Sequence, residues 1–221
     1  MRSRDTEKTI RELQQFLREH EDEITDEDSM HRLAITFMSQ HNSRLQPKQT
    51  EPEDASDYLE LASYRTRPYM RGCYTYFQTL IECGMMRCAI NEGERLLKLS
   101  EGDSLGVRDQ LMHLYAYTED EMHALALHKK YGGYEETQML LPLAILYYKQ
   151  NQFDKAKDYL NRLAKVNRDT KKFMRLEAKH DGYSLRMERG MHGYRPGTIE
   201  ELVDAYLNST YLFNATPYFI Q

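Results

Sequence analysis

His113, His123 and His128 fall close to Glu119, Asp120 and Glu121, the mixture of imidazole and carboxylate that binds a metal ion or moves a proton. Their spacing argues against both. His123 and His128 are five residues apart, so a helix turns them onto different faces. The chain has no H-E-x-x-H, no phosphate-binding glycine loop and no G-x-S-x-G. All three histidines are therefore expected to be exposed polar side chains. Cys73, Cys83 and Cys88 form no C-x-x-C pair, and such thiols are expected to be small, buried and free in a reducing compartment. The expectation is a chain without catalytic residues, metal ligands or cofactor.

Two groups of cations offer other chemistry. Arg67, Arg71 and Arg108 are candidates to converge on an anion. The expected arrangement is instead pairing with Glu101, Asp103 or Asp109, because a fixed carboxylate is enough to hold an arginine. Residues 162–179 carry Arg162, Lys165, Arg168, Lys171, Lys172, Arg175 and Lys179 against Asp169 and Glu177. A run of this kind is usually a solvated helix face, and one interleaved aromatic, Phe173, is little support for base stacking.

The whole chain is mildly acidic, with a formal charge of −5. Residues 1–60 hold 8 Lys/Arg against 15 Asp/Glu, a net of −7, and residues 61–221 a net of +2. That balance does not suit a protein that coats nucleic acid. No apolar run approaches the roughly 20 residues of a membrane span, and the N-terminus lacks the apolar core of a secretion signal. A cytoplasmic location is expected.

The elements that position these residues read as helices, since Gly and Pro are scarce and Leu, Glu, Lys, Arg, Met and Tyr are abundant. Ile10, Leu13, Phe16 and Leu17 form a narrow stripe in residues 5–21, and Met30, Leu33, Ala34, Phe37 and Met38 line a second helix. The expected domains are an N-terminal hairpin or arm at 1–46, a linker at 47–53, a helical array at 54–180 and a C-terminal cap at 181–221. In the array, Tyr58, Leu59, Leu61 and Ala62 begin a helix that Pro68 should interrupt, with a new helix starting there. Helix pairs follow, with turns at Gly84, Thr118 and Asn151. Thr198 and Glu201 have the spacing of a capping box before a last helix. The aromatic residues Tyr211, Phe213, Tyr218 and Phe219 end the chain as a packed cap.

Gly84 and Asn151 are 67 residues apart, close to twice the roughly 34-residue period of tetratricopeptide repeats. Around Asn151 lie Ala144, Phe153 and Ala156, with Leu140, Leu143, Tyr147, Leu160 and Leu163 as bulk. Around Gly84 lie Leu80, Ala89, Leu96 and Leu99, with Phe77 in a slot usually held by a small residue. In the middle pair Ala124 falls one residue late. Residues 68–167 thus resemble a tetratricopeptide array. TRPYMR (66–71), GDSLGVR (102–108) and GYRPGTIEELVDAY (193–206) narrow the resemblance to a group of bacterial tetratricopeptide proteins, which speaks to fold and domain limits. The resemblance implies an all-α, right-handed superhelix of antiparallel helix pairs (a TPR-like α-solenoid) with capping helices.

Such arrays bind along an inner face lined by the first helix of each pair. Projected onto this chain, that face holds Arg71, Tyr74 and Gln78, then Arg108, Met112 and Tyr115, then Leu141, Ile145 and Tyr148. Aromatic, Met and Arg side chains of this kind favour a peptide or protein with apolar anchors. The Lys, Arg and Asn cluster with which some of these domains grip a terminal carboxylate is missing at the matching positions. The expected function is that of a non-catalytic scaffold for a protein or peptide partner. The alternatives are self-assembly into a homodimer through the N-terminal helices, and nucleic-acid binding through 162–179. Residues 1–41 are also candidates to occupy the groove in cis.

Overall fold

The computed structural model describes residues 4–40, 55–179, 182–190 and 193–219. Every regular element among the described residues is helical. None of these helices is long and apolar enough to cross a membrane. The linker expected at 47–53 lies outside the described residues, as do the side chains of Ile10, Met38, Tyr58, Leu59, Leu61 and Ala62. By compactness the chain divides into Met1–Val107 and Arg108–Gln221. The division falls beyond Gly102-Asp103-Ser104, inside the stretch expected to form one array.

The first unit contains α1 (Arg4–Glu19), a short 3-10 turn (Glu21–Glu23), α2 (Glu27–Gln40), α3 (Ala55–Glu82) and α4 (Met86–Leu99). Leu13 and Leu17, one turn apart on α1, are fully buried, as are Met30, Ala34 and Phe37 on α2. Phe16 meets Phe37 with ring centroids 5.3 Å apart. The start of α2 is fixed by a reciprocal cap. Asp26 Oδ1 accepts from the Ser29 amide at 2.7 Å, and Ser29 Oγ accepts from the Asp26 amide at 3.0 Å. Hydrogen bonds from the Ser29 amide and hydroxyl hold the Asp26 carboxyl below its usual range.

The helix break expected at Pro68 does not occur, because α3 runs through it for 28 residues. An interior proline costs about 3 kcal/mol or more through a lost hydrogen bond and a steric clash. The same helix buries Tyr69, Met70, Cys73, Phe77 and Leu80, each contributing about 1.5–3 kcal/mol if apolar and fully buried. Packing outweighs the local rule. Both N-terminal helices pack on α3, and α2 also reaches α4. Arg95 on α4 ties these elements together. It reaches Glu92 at 2.7 Å, Glu21 at 3.3 Å and the Tyr69 hydroxyl at 3.3 Å. Burial works against the Arg95 charge, yet these bonds raise its pKa, whereas burial pushes the Tyr69 hydroxyl up.

The second unit contains α5 (Val107–Thr118, starting at the division), α6 (Glu121–Lys130), α7 (Thr137–Lys149), α8 (Phe153–Val166), α9 (Thr170–Ala178), α10 (Gly182–Met187), α11 (Ile199–Asn208) and α12 (Thr210–Asn214). Its core is α7, buried continuously from Thr137 to Tyr147 despite an internal Pro142. Helix α8 packs closely against it, and α11 packs on it as well.

Three hairpin tips share one geometry. Gly84, Glu119 and Asn151 have φ of +73°, +58° to +60° for the other two, the left-handed conformation that ends many helices. After each, the next amide bonds back to a carbonyl five residues earlier: Met85 to Leu80, Asp120 to Tyr115 and Gln152 to Tyr147. Five residues beyond each tip stands a buried alanine, Ala89, Ala124 or Ala156. The turn expected at Thr118 is thus centred on Glu119, and the apparent one-residue shift of Ala124 disappears when counted from there.

The capping box expected from Thr198 and Glu201 does not form. Thr198 Oγ1 turns back to the Arg195 carbonyl at 2.7 Å. Glu201 is buried, and its Oε2 accepts from the Gly197 amide and from Thr137 Oγ1, both at 2.8 Å. Asn167 Nδ2 donates to Thr137 Oγ1 at 3.1 Å and to the Thr198 carbonyl at 2.9 Å. The first amide of α11, Ile199, is capped from another element by Asp169 Oδ2 at 3.0 Å. Gly197 fits this junction with φ of +70°, and a Cβ there would lie 3.0 Å from the Val166 carbonyl oxygen.

Candidate functional site

The nine residues expected on an inner face fall in both units. In the first, Arg71 is exposed, while Tyr74 and Gln78 are half-buried on α3. In the second, Met112, Tyr115, Leu141 and Ile145 are buried and offer no surface. The reason lies in α5 and α7, which are enclosed on all sides along Leu111–Ala116 and Thr137–Tyr147. Arg108 lies 3.6 Å from both Asp109 and Glu136 and sits over the Tyr131 ring. Tyr148 is half-buried between Phe153 and Phe219, at centroid distances of 5.7 and 5.4 Å.

Tyr148 leads to the part of the second unit that does offer a surface. The tips of its two hairpins lie side by side. Lys149, 11% exposed, reaches Glu119 at 3.4 Å and the Ala116 carbonyl at 3.2 Å, and also bonds the Tyr117 carbonyl. Its ammonium sits where the C-terminal end of α5 concentrates negative potential. Glu121, at the start of α6, accepts from the Tyr147 hydroxyl at 2.9 Å and lies 3.7 Å from Lys155. Around this fixed frame Met122 is 71% exposed, Phe153 56% and Tyr218 65%. Helix geometry explains Met122, which stands two residues from the buried Ala124 and so points away from it, while Phe153 is exposed as the first residue of α8.

The histidines separate. His123 is exposed and bonded to Asp120 Oδ2 at 2.7 Å, and His128 Nε2 meets the Tyr134 carbonyl at 3.1 Å. His113 is not exposed as expected. It is buried, neither ring nitrogen has a hydrogen-bond partner, and burial pulls its pKa down to about 4. The Asp109 carbonyl pulls weakly the other way, without hydrogen-bond geometry. Among the described residues no three His, Cys, Asp or Glu gather as metal ligands. The cysteines also correct the expectation, because Cys73 is buried but Cys83 and Cys88 are exposed around the first hairpin tip.

Within 162–179, Arg162 is drawn off by Glu135, whose carboxyl it holds below the usual range, and lies over the Tyr159 ring. Lys172 pairs with Glu188 at 2.6 Å and Arg168 with Asp169 at 3.8 Å. Phe173 is buried, in edge contact with Tyr206 and Phe213, so it offers no face for a base to stack on. The arginines considered for a common anion also divide. Arg67 and Arg71 line one cleft of the first unit, while Arg108 belongs to the second. Asp103 Oδ1 is occupied by the Val107 amide at 2.7 Å.

Sequence reasoning missed Lys149 and Arg95 as organising side chains, and gave Glu121 and Glu201 other roles, as a neighbour of the histidines and as half of a capping box. Arg95 had a local signal, a glutamate three residues earlier. Comparison with known proteins returns no matching family model, no matching curated protein and no matching solved structure.

Proposed function

We propose that this chain is a non-catalytic interaction module built from tetratricopeptide-like helical hairpins, which binds a protein or peptide partner. The observation that carries this reading is the set of exposed Met122, Phe153 and Tyr218 around a rigid, ion-paired frame at the hairpin tips of the second unit. Methionine and aromatic side chains are enriched in interface cores, and a few such anchors dominate binding energy. A fixed frame lowers the ordering cost of binding. The shared tip geometry of the three hairpins supports the repeat character; the superhelical arrangement is what the resemblance implies. The contact surface, however, is shifted from the inner face to the tips.

The test is affinity capture from native cytosol with the full chain and with a Met122→Ala, Phe153→Ala, Tyr218→Ala variant. The three side chains are exposed, so the variant's circular dichroism and urea midpoint should match those of the parent. A protein retained by the parent and lost by the folded variant supports the reading and identifies the partner. Equal retention by both overturns the tip surface.

A further inference from the structure

Cysteine is among the residue types most often buried, and at a surface its chemistry matters more than its packing. Cys83 and Cys88 are both free and exposed at the first hairpin tip, and Met85 between them is 49% exposed. We infer that this tip binds copper(I), with the thiolates of Cys83 and Cys88 and the thioether of Met85 as ligands.

Geometry is the first support. The residue just past each tip has φ and ψ of −83° and 56° at Met85, −85° and 79° at Asp120, and −93° and 64° at Gln152. Its carbonyl accepts from the buried alanine of the same hairpin, Ala89, Ala124 or Ala156, at 2.9, 3.1 and 3.0 Å. With one backbone at all three tips, side chains that touch at one tip mark positions within reach at the others. At the third tip the residues before and after Asn151 meet, since Gln152 Nε2 donates to Gln150 Oε1 at 2.9 Å. At the second tip the residues one and four past Glu119 meet, since His123 Nδ1 lies 2.7 Å from Asp120 Oδ2. Around Gly84 these same positions hold Cys83, Met85 and Cys88, so Met85 stands between the two thiols and within reach of both. Cysteine is shorter than glutamine or histidine, and the ion makes up the difference. A metal–thiolate bond is about 2.3 Å, so one ion bridges sulfurs about 4 Å apart. The position two past the tip turns elsewhere, Glu121 to Tyr147 and Lys155, and Phe153 to Tyr148. Met86 is left out of the ligand set for that reason.

Chemistry is the second. Thiolate and thioether sulfurs are soft donors and select copper(I), whereas closed zinc sites take four ligands from cysteine and histidine. Each thiol releases its proton to solvent as its copper–sulfur bond forms, which leaves a singly negative site and an ion that keeps its oxidation state. Cys88 stands in the first turn of α4, and the positive end of that helix favours the added negative charge.

This proposal is independent of the tip surface of the second unit. Its test is anaerobic titration of the reduced full chain with copper(I) held by bicinchoninate, whose colour reports the copper that the protein takes up. The expected result is one copper(I) per chain with three sulfur neighbours in copper X-ray absorption. Changes beside a metal's ligands cost about 10–100-fold in affinity. Loss of a ligand should cost at least about a hundredfold in Cys83→Ser or Cys88→Ser, and about tenfold in Met85→Leu, where the weaker donor is lost. Met86→Leu should bind as the parent does. All four positions are at least partly exposed, so the circular dichroism of each variant should match the parent's. In the unaltered chain, bound copper(I) should slow alkylation of Cys83 and Cys88. Absent uptake, affinity unchanged in either cysteine variant or in Met85→Leu, one copper shared between two chains, or full displacement by equimolar zinc(II) overturns the proposal.

Discussion

Replacing His113 with phenylalanine removes a titrating group from the interior of the second unit while keeping a planar ring there. The imidazole is 2% exposed and both nitrogens lack partners, so the ring contributes packing and leaves two polar atoms unsatisfied. In the folded chain its pKa is pulled by burial from 6.5 to about 4. The sign follows from which state takes the proton first. Below pH 6.5 the unfolded chain is protonated and the folded chain is not, so stability falls as pH drops and the loss is complete near pH 4. The full loss is about 3 kcal/mol, at about 1.4 kcal/mol for each pH unit. By about pH 5 it has reached about 2 kcal/mol.

Urea denaturation of parent and His113→Phe across this range is the assay. With a slope of about 2 kcal/mol per molar urea, the parent midpoint should fall relative to the variant by about 1 M between about pH 7.5 and about pH 5. Carboxylates held low in the fold, such as Glu135 and Glu200, lose their contributions in both proteins, so the difference isolates His113. At neutral pH the variant should match the parent to within about 1 kcal/mol, because an apolar ring leaves no buried nitrogen unpaired. Parallel pH profiles would refute the burial of a neutral imidazole at this position.

Glu201→Ala removes the acceptor shared by the Gly197 amide and Thr137 Oγ1. Each stranded buried donor costs about 1–3 kcal/mol, so a loss of about 4 kcal/mol is expected in urea denaturation, with Glu201→Gln retaining part of it. An exposed glutamate would give less than about 0.5 kcal/mol. Thiol titration of the native chain should modify Cys83 and Cys88 quickly and Cys73 only after unfolding. Three fast thiols would contradict the burial of Cys73.

Local residue chemistry made some of this legible. Glycine and asparagine favour the left-handed conformation, so Gly84 and Asn151 marked their tips. Glutamate does not, and Glu119 hid the third. Pro68 misled because a local penalty was weighed without the long-range packing of α3. The face assignment failed for a different reason. Helical phase identifies a surface only when one side is polar, and Leu111–Ala116 and Thr137–Tyr147 are buried all round, so periodicity could not tell an inner face from an interior. His113 was expected to be exposed because its spacing suits no site, yet it lies within the Leu111–Ala116 stretch that is buried all round. Arg71 was placed on the inner face by projecting the repeat, and it is exposed on α3.

The alanines at a fixed step beyond Gly84, Glu119 and Asn151 bear on how such a chain changes length. The tips are spaced by 35 and then 32 residues, yet each alanine keeps its place relative to its own tip. The ruler for interior positions is therefore the hairpin. An insertion between hairpins shifts the numbering of everything downstream and alters no buried contact inside a pair, whereas a residue inserted between a tip and its alanine rotates the returning helix by about 100° and points a different side chain inward. Length variation in relatives of this chain should accumulate in the segments that join hairpins, and a repeat search with a rigid period will lose the middle pair even where its interior is intact.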